Sequence, residues 1–225
     1  MSLSFYDQLL SDTAAERAAF CAIPVIASAV TVGVDKALYL AFLASAYHHV
    51  RHTCPLLGLA LSRCQIADEP YRAGLLSYLE EEKGHEAWIL DDIAALGGDR
   101  QHVAHAPLAA RQLVAYGYFA VEHVSPYALL GMVHVLEGMS VALAQAGAGA
   151  IQRRLGADAT QGGFRYLTSH GHLDENHVDA FARLLERIDT PERRGVVIEA
   201  AKDVYRLYGD IFRDLADSAA ARHAA

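Results

Sequence analysis

Apolar residues recur every three or four positions along most of the chain, and Ala and Leu dominate them. That spacing is the mark of amphipathic α-helices. Alternating β-branched runs between turn signals, which would mark strands, are absent. Caps and breakers place the boundaries. A first helix starts at the Ser11/Asp12 cap and is interrupted near Pro24. A second runs from about Asp35 to His52 and stops before Pro55, and a short apolar segment, Leu56 to Cys64, follows. A long helix starts near Asp68-Glu69-Pro70 and ends at Gly97-Gly98. After a loop at 99–106, Pro107 opens a helix reaching about His123, and Ser125-Pro126 caps another that Gly156 stops after Leu155. A turn at 157–163 leads to a helix from about Phe164 to Ile188. Thr190-Pro191 starts the last helix, which runs to about Leu215 before a fraying tail. The expectation is an all-α fold, a compact bundle of about seven helices, which would build a site from inward-facing side chains on different helices.

The 53% hydrophobic content suits one domain over residues 1–225 with a full core, and 20% charged residues argue against a disordered chain. A formal net charge of −8 without any Lys/Arg run argues against nucleic acid and against anionic membrane surfaces. No apolar run reads as long enough to span a bilayer, and the N-terminus carries acids where a signal peptide carries bases. The expected compartment is the cytoplasm, and three cysteines, Cys21, Cys54 and Cys64, form no disulfide framework there. The chain also has 12 histidines, many for its length.

Three segments group histidines with acids. In Glu80-Glu81-Glu82-Lys83-Gly84-His85-Glu86, Glu82 and His85 are at i and i+3 and share a helix face. Glu81 and His85, at i and i+4, are almost as good, so the choice of carboxylate stays open; the plainer reading of the acidic run is a solvated face. In the second segment Glu137 sits in an otherwise apolar helix, where an unpartnered carboxylate would cost several kcal/mol. It must be paired, protonated, exposed or bound to a metal. Gly138 beside it would admit a neighbouring backbone or a ligand, and His134, one turn earlier, reads as a supporting or core residue. In the third segment, His170-Gly-His-Leu-Asp174-Glu-Asn-His177, the spacings i, i+4 and i+7 put His170, Asp174 and His177 along one face. Two imidazoles and a carboxylate suit iron(II), manganese or zinc, whereas His172 reads as a surface residue.

With these residues in this order, the chain resembles the haem-oxygenase-like di-iron oxidases and oxygenases. Their fold is shared with haem oxygenase, the thiaminase-type TenA proteins and the pyrroloquinoline-quinone-forming enzyme. Their pattern is a Glu and a His on one core helix, a lone Glu on a second, and His-x3-Asp-x2-His on a third. Glu82 and His85, Glu137, and His170, Asp174 and His177 match it in turn. Residues 46–53, 84–90 and 205–212 also look like members called TenA-like or iron-containing redox enzymes.

The resemblance implies iron held by those six residues, as two ions with a single ion as the alternative, and O2 activated to oxidise a small organic substrate. Electrons would come from an external reductant, since no GxGxxG is present. Tyr116, Phe119, Tyr127 and Met139 are candidate pocket residues, with core packing as the competing role, and apolar helix faces would suit a homodimer. Four other readings stand beside this one. A thiaminase-type member would use a cysteine, Cys54 or Cys64. A haem oxygenase would use one of His48, His49 and His52. His170, Asp174 and His177 alone could hold one metal, or the bundle could serve as a ligand-binding scaffold without oxygenase activity. A ferritin-like site wants two ExxH motifs, and the chain has one, with His134-x2-Glu137 running the other way.

Overall fold

A computed structural model of the chain describes residues 4–156, 161–172 and 181–224, the side chains of 170–172 and 223–224 excepted. Every expected segment is helical where it is described. In chain order the helices are α1 (Phe5–Asp12), α2 (Ala14–Cys21), α3 (Pro24–Thr31), α4 (Lys36–Val50), α5 (Thr53–Arg63), α6 (Glu69–Glu82), α7 (His85–Ala95), α8 (Leu108–Phe119), α9 (Ala128–Leu155), α10 (Arg165–His172) and α11 (Pro191–Ala224). A 3-10 turn covers Arg100–Val103 and a π turn Ala120–Val124.

The boundaries differ from the sequence reading in four places. Ser4, whose side chain accepts the Asp7 N–H, starts the first helix, and Ser11/Asp12 end it. Pro24 opens α3, where its missing N–H costs nothing. The expected long helix breaks at Lys83-Gly84, because Gly84 takes φ +92°, a left-handed turn open to glycine. The Ala-rich tail continues α11 to Ala224 instead of fraying at Leu215.

Helix α9 is the axis of the bundle and packs against α3, α10 and α11. It passes α11 so closely at Gly131 that an added Cβ would lie 2.5 Å from the Val197 carbonyl oxygen. By length and composition α9 could cross a membrane, contrary to the sequence reading. Here its apolar surface is that of a core helix, with Leu129, Leu130, Val135 and Ile151 all buried. Across the bundle α4 packs on α7 and α5 on α6, burying Leu43, Leu57 and Ile89 completely. Each such side chain contributes roughly 1.5–3 kcal/mol.

One junction fixes the start of α10. Asp92, on α7 and fully buried, accepts the backbone N–H groups of Arg165 at 2.9 Å and Tyr166 at 2.8 Å. These are N–H groups that a helix start leaves without internal partners. Burial pushes the Asp92 carboxyl up to about 6, while the two N–H donors pull it down. Tyr39 of α4 completes the clamp: its hydroxyl donates to the Gly163 carbonyl at 3.0 Å and its ring stacks on Phe164. Replacing Asp92 by Ala removes both acceptors, and such a loss at a helix start costs about 1–2 kcal/mol. Asp92→Ala should therefore unfold at lower denaturant than the wild type by that margin. Equal midpoints in urea would show that the junction contributes nothing.

Candidate metal centre

The break at Gly84 shapes the first segment. Glu82 closes α6 and His85 opens α7, so the two meet across a turn instead of along one face. Both are buried, 5% and 3% exposed, and the His85 Nδ1 lies 3.1 Å from Glu82 Oε2. Glu81, the other carboxylate weighed for this place, is exposed and accepts from the Ser77 hydroxyl at 3.2 Å. The His85 ring lies 4.1 Å from the Trp88 ring, and the Arg165 guanidinium lies over Trp88 at 4.8 Å. The start of α10 thus rests on the layer that holds His85.

Glu137 lies midway along α9, half-buried. The Tyr78 hydroxyl donates to its carboxylate. Burial first, and then the charges of Glu137 and Glu82, keep that phenol protonated far above its usual range. Tyr166 behaves alike: burial, then Tyr208, Glu137 and Glu82, push its hydroxyl up. Tyr78, Tyr166 and Tyr208 carry no signal as single residues. Two have a positional one, since Tyr78 lies one helical turn before Glu82 and Tyr166 one turn before His170.

Glu82, Glu137, His49, Tyr166 and Tyr208 border a narrow cavity of about 140 Å³, whose other walls are chiefly apolar, among them Phe42, Leu136 and Leu143. Among its described lining residues there is no Lys or Arg. Two carboxylates face this apolar space with hydroxyl and imidazole groups as neighbours, which is the chemistry of a cation site. The donor set fits a metal. Among the described residues there is no cluster of three or more His, Cys, Asp or Glu placed to hold one. Of the third segment, His170 lies in α10, one turn beyond Tyr166, while Asp174 and His177 fall outside the described residues.

The remaining sequence readings sort by place. Met139 borders the cavity, but Tyr116 donates to Asp203 at 2.9 Å, Phe119 is 56% exposed and Tyr127 stacks on Tyr71 in the core. Those three are not among the described residues that line this cavity. The space beside Gly138 holds no neighbouring backbone; it opens on a second, wider cavity instead. Neither Cys54 nor Cys64 is among the described residues lining these two cavities, and burial pushes the Cys64 thiol up to about 11. That setting suits no cysteine nucleophile. His52 meets the Tyr118 hydroxyl at 3.1 Å, and His49 packs edge-on against Tyr208 at the border of the narrow cavity.

His134 is buried, with Thr13 Oγ1 3.4 Å from its Nε2. Burial, and then the charge of Arg17, hold its pKa down at about 4. The unfolded chain takes up this proton near the usual ~6.5. Between the two values the unfolded state binds more protons, so the stability from neutral His134 is complete above ~6.5 and lost as pH falls toward 4. The unfolding free energy of wild type minus that of His134→Gln should shrink over this window. A pH-independent gap in urea titrations would refute the assignment.

The chain is similar to a domain of unknown function with a haem-oxygenase-like fold from Shewanella denitrificans, at 22% identity and TM-score 0.85, covering 97% of this chain and 94% of that one. A TenA homologue from Pseudomonas syringae pv. tomato matches at 11% identity and TM-score 0.80, over 95% and 93% of the two chains. A CADD-like protein of unknown function from Nostoc punctiforme matches at 15% and 0.69, over 97% and 95%. These likenesses show the haem-oxygenase-like fold. Among curated proteins none matches. The family model of the iron-containing redox enzymes matches residues 40–209, a span that contains all three segments. The chain therefore belongs to the iron-containing redox enzyme family.

Proposed function

We propose that the chain is an O2-dependent non-haem iron oxidoreductase, holding two iron ions with Glu82, His85, Glu137, His170, Asp174 and His177. The observation that carries the reading is the buried Glu82–His85 pair sharing a largely apolar neighbourhood with Glu137, where no described Lys or Arg lines the narrow cavity. The family match supplies iron and redox chemistry in general terms. Bound ferrous iron would supply the electrons that activate O2, and an external reductant would restore them.

The chain's own residues prepare that chemistry. Glu82 accepts from Nδ1–H of His85, which holds the orientation of the imidazole beside the carboxylate. Tyr78 donates to Glu137 and holds that carboxylate's orientation. Trp88 and Arg165 brace the His85 ring from one side. The apolar walls exclude water, which strengthens every charge interaction inside and limits side reactions. Asp92 sets the start of α10, the helix that carries His170.

Anaerobic loading with iron(II), followed by metal counting, tests the reading. Two irons per wild-type chain are expected, with large losses in Glu137→Ala and His85→Ala and O2 uptake only by the loaded protein. Saturation at one iron would overturn the two-ion site, and wild-type iron content in both variants would overturn the ligand set.

A further inference from the structure

Glu137 and Met139 also border a second cavity, wider at about 550 Å³, on the other side of α9. It has two unlike ends. Tyr78, Glu81 and Glu137 stand at one, and Tyr6, Arg17, His134 and Tyr205 at the other. The charge of Arg17 reaches Tyr6, His134 and Tyr205, so the four are neighbours. The Arg17 side chain is half-buried and makes no ion pair or hydrogen bond among the described residues. Other half-buried arginines are paired: Arg72 with Glu69 at 2.9 Å and Arg193 with Asp68 at 3.2 Å. Near Arg17, Asp7 is engaged by the Ser4 hydroxyl, and Glu16 makes no ion pair with it. A guanidinium that lines a cavity and has no carboxylate paired with it is half of a fork-to-fork pair.

We propose that the wider cavity binds the carboxylate of an organic monoacid, with Arg17 as its anchor and its carbon chain running along α9 toward Glu137. One guanidinium inside the cavity suits a monoanion; the second arginine of the lining, Arg183, is exposed. The Tyr6 and Tyr205 hydroxyls are available as further donors, and Leu130, Val133 and Met139 give the chain an apolar wall. His134 and Glu137 are three residues apart, about 4.5 Å along the helix axis. An acid held near His134 therefore reaches Glu137 with a chain of a few carbons. The inference rests on the reading of Glu82, His85 and Glu137 as the reacting centre for its role in catalysis, but the binding itself needs no iron.

Calorimetric titration of the iron-free full-length protein with hexanoate and with hexanamide tests it. Hexanoate should bind about tenfold or more tighter than its neutral amide, the difference a charge-assisted pair makes. Arg17→Gln should erase that preference and leave hexanamide binding unchanged, and Arg17→Lys should keep part of it. Circular dichroism and melting curves establish that the variants fold; should Arg17→Gln not fold, the wild-type preference and the Arg17→Lys affinity decide. Equal binding of acid and amide, no binding of hexanoate, or a folded Arg17→Gln that binds hexanoate like the wild type would each overturn the proposal. A protein that prefers hexanoate but takes up no iron would sink the proposed oxidase and leave the acid site standing.

Discussion

Two carboxylates set against an apolar interior impose the main constraint on this fold. Glu82 is as buried as the leucines around it, and Glu137 sits at mid-length of the helix that organises the core. An ionised carboxylate in such surroundings is tolerated only when donors or cations face it. The chain meets Glu82 with the His85 imidazole and Glu137 with the Tyr78 hydroxyl. It then places the residues that perform this on three different helices, α6, α7 and α9, so the bundle's packing and the centre's electrostatics are one problem. A shift of α6 against α9 would leave charge stranded.

Helix α7 links that constraint to the rest of the bundle. Its first residue is His85, and two turns later the same helix presents Asp92 to the start of α10. The Arg165–Trp88–His85 layer repeats the connection through side chains. Displacing α10 therefore disturbs His85 by two routes, and His170 lies in α10. The raised pKa of Asp92 shows that its position is held despite a cost in burial.

Much of this was legible in the residues, and the exceptions have physical causes. The all-helical class followed from periodicity, because burying one face of each helix enforces it. The pairing of Glu82 with His85 followed from spacing, yet for an incomplete reason: i, i+3 assumes a continuous helix, and Gly84 interrupts it. A glycine after lysine in mid-helix was the available sign, and helix-favouring neighbours on both sides hid it. The exposure that separates Glu82 from Glu81 depends on which side of α6 meets the rest of the bundle, and three adjacent glutamates do not mark it. Nothing in the order of residues sets Asp92 apart from Asp91, since only the returning chain at 165–166 gives it partners. Arg17 gave no sign at all, for its lack of a partner is a property of space and not of order.

The unlike characters of the two cavities follow from α9 itself. A helix turns 100° per residue, so Glu137 can border both sides while its neighbours divide: Leu136 and Leu143 face the narrow cavity, and His134 and Val141 the wide one. The narrow side, closed by α3 and α4, is lined almost wholly by hydrocarbon and ring edges. The wide side, bounded by α1, α2, α6 and α11, adds the guanidinium of Arg17. An anionic substrate meets no described Lys or Arg in the first and the Arg17 guanidinium in the second. The helix that buries a carboxylate at the heart of the bundle thereby also sorts what can approach it from each side.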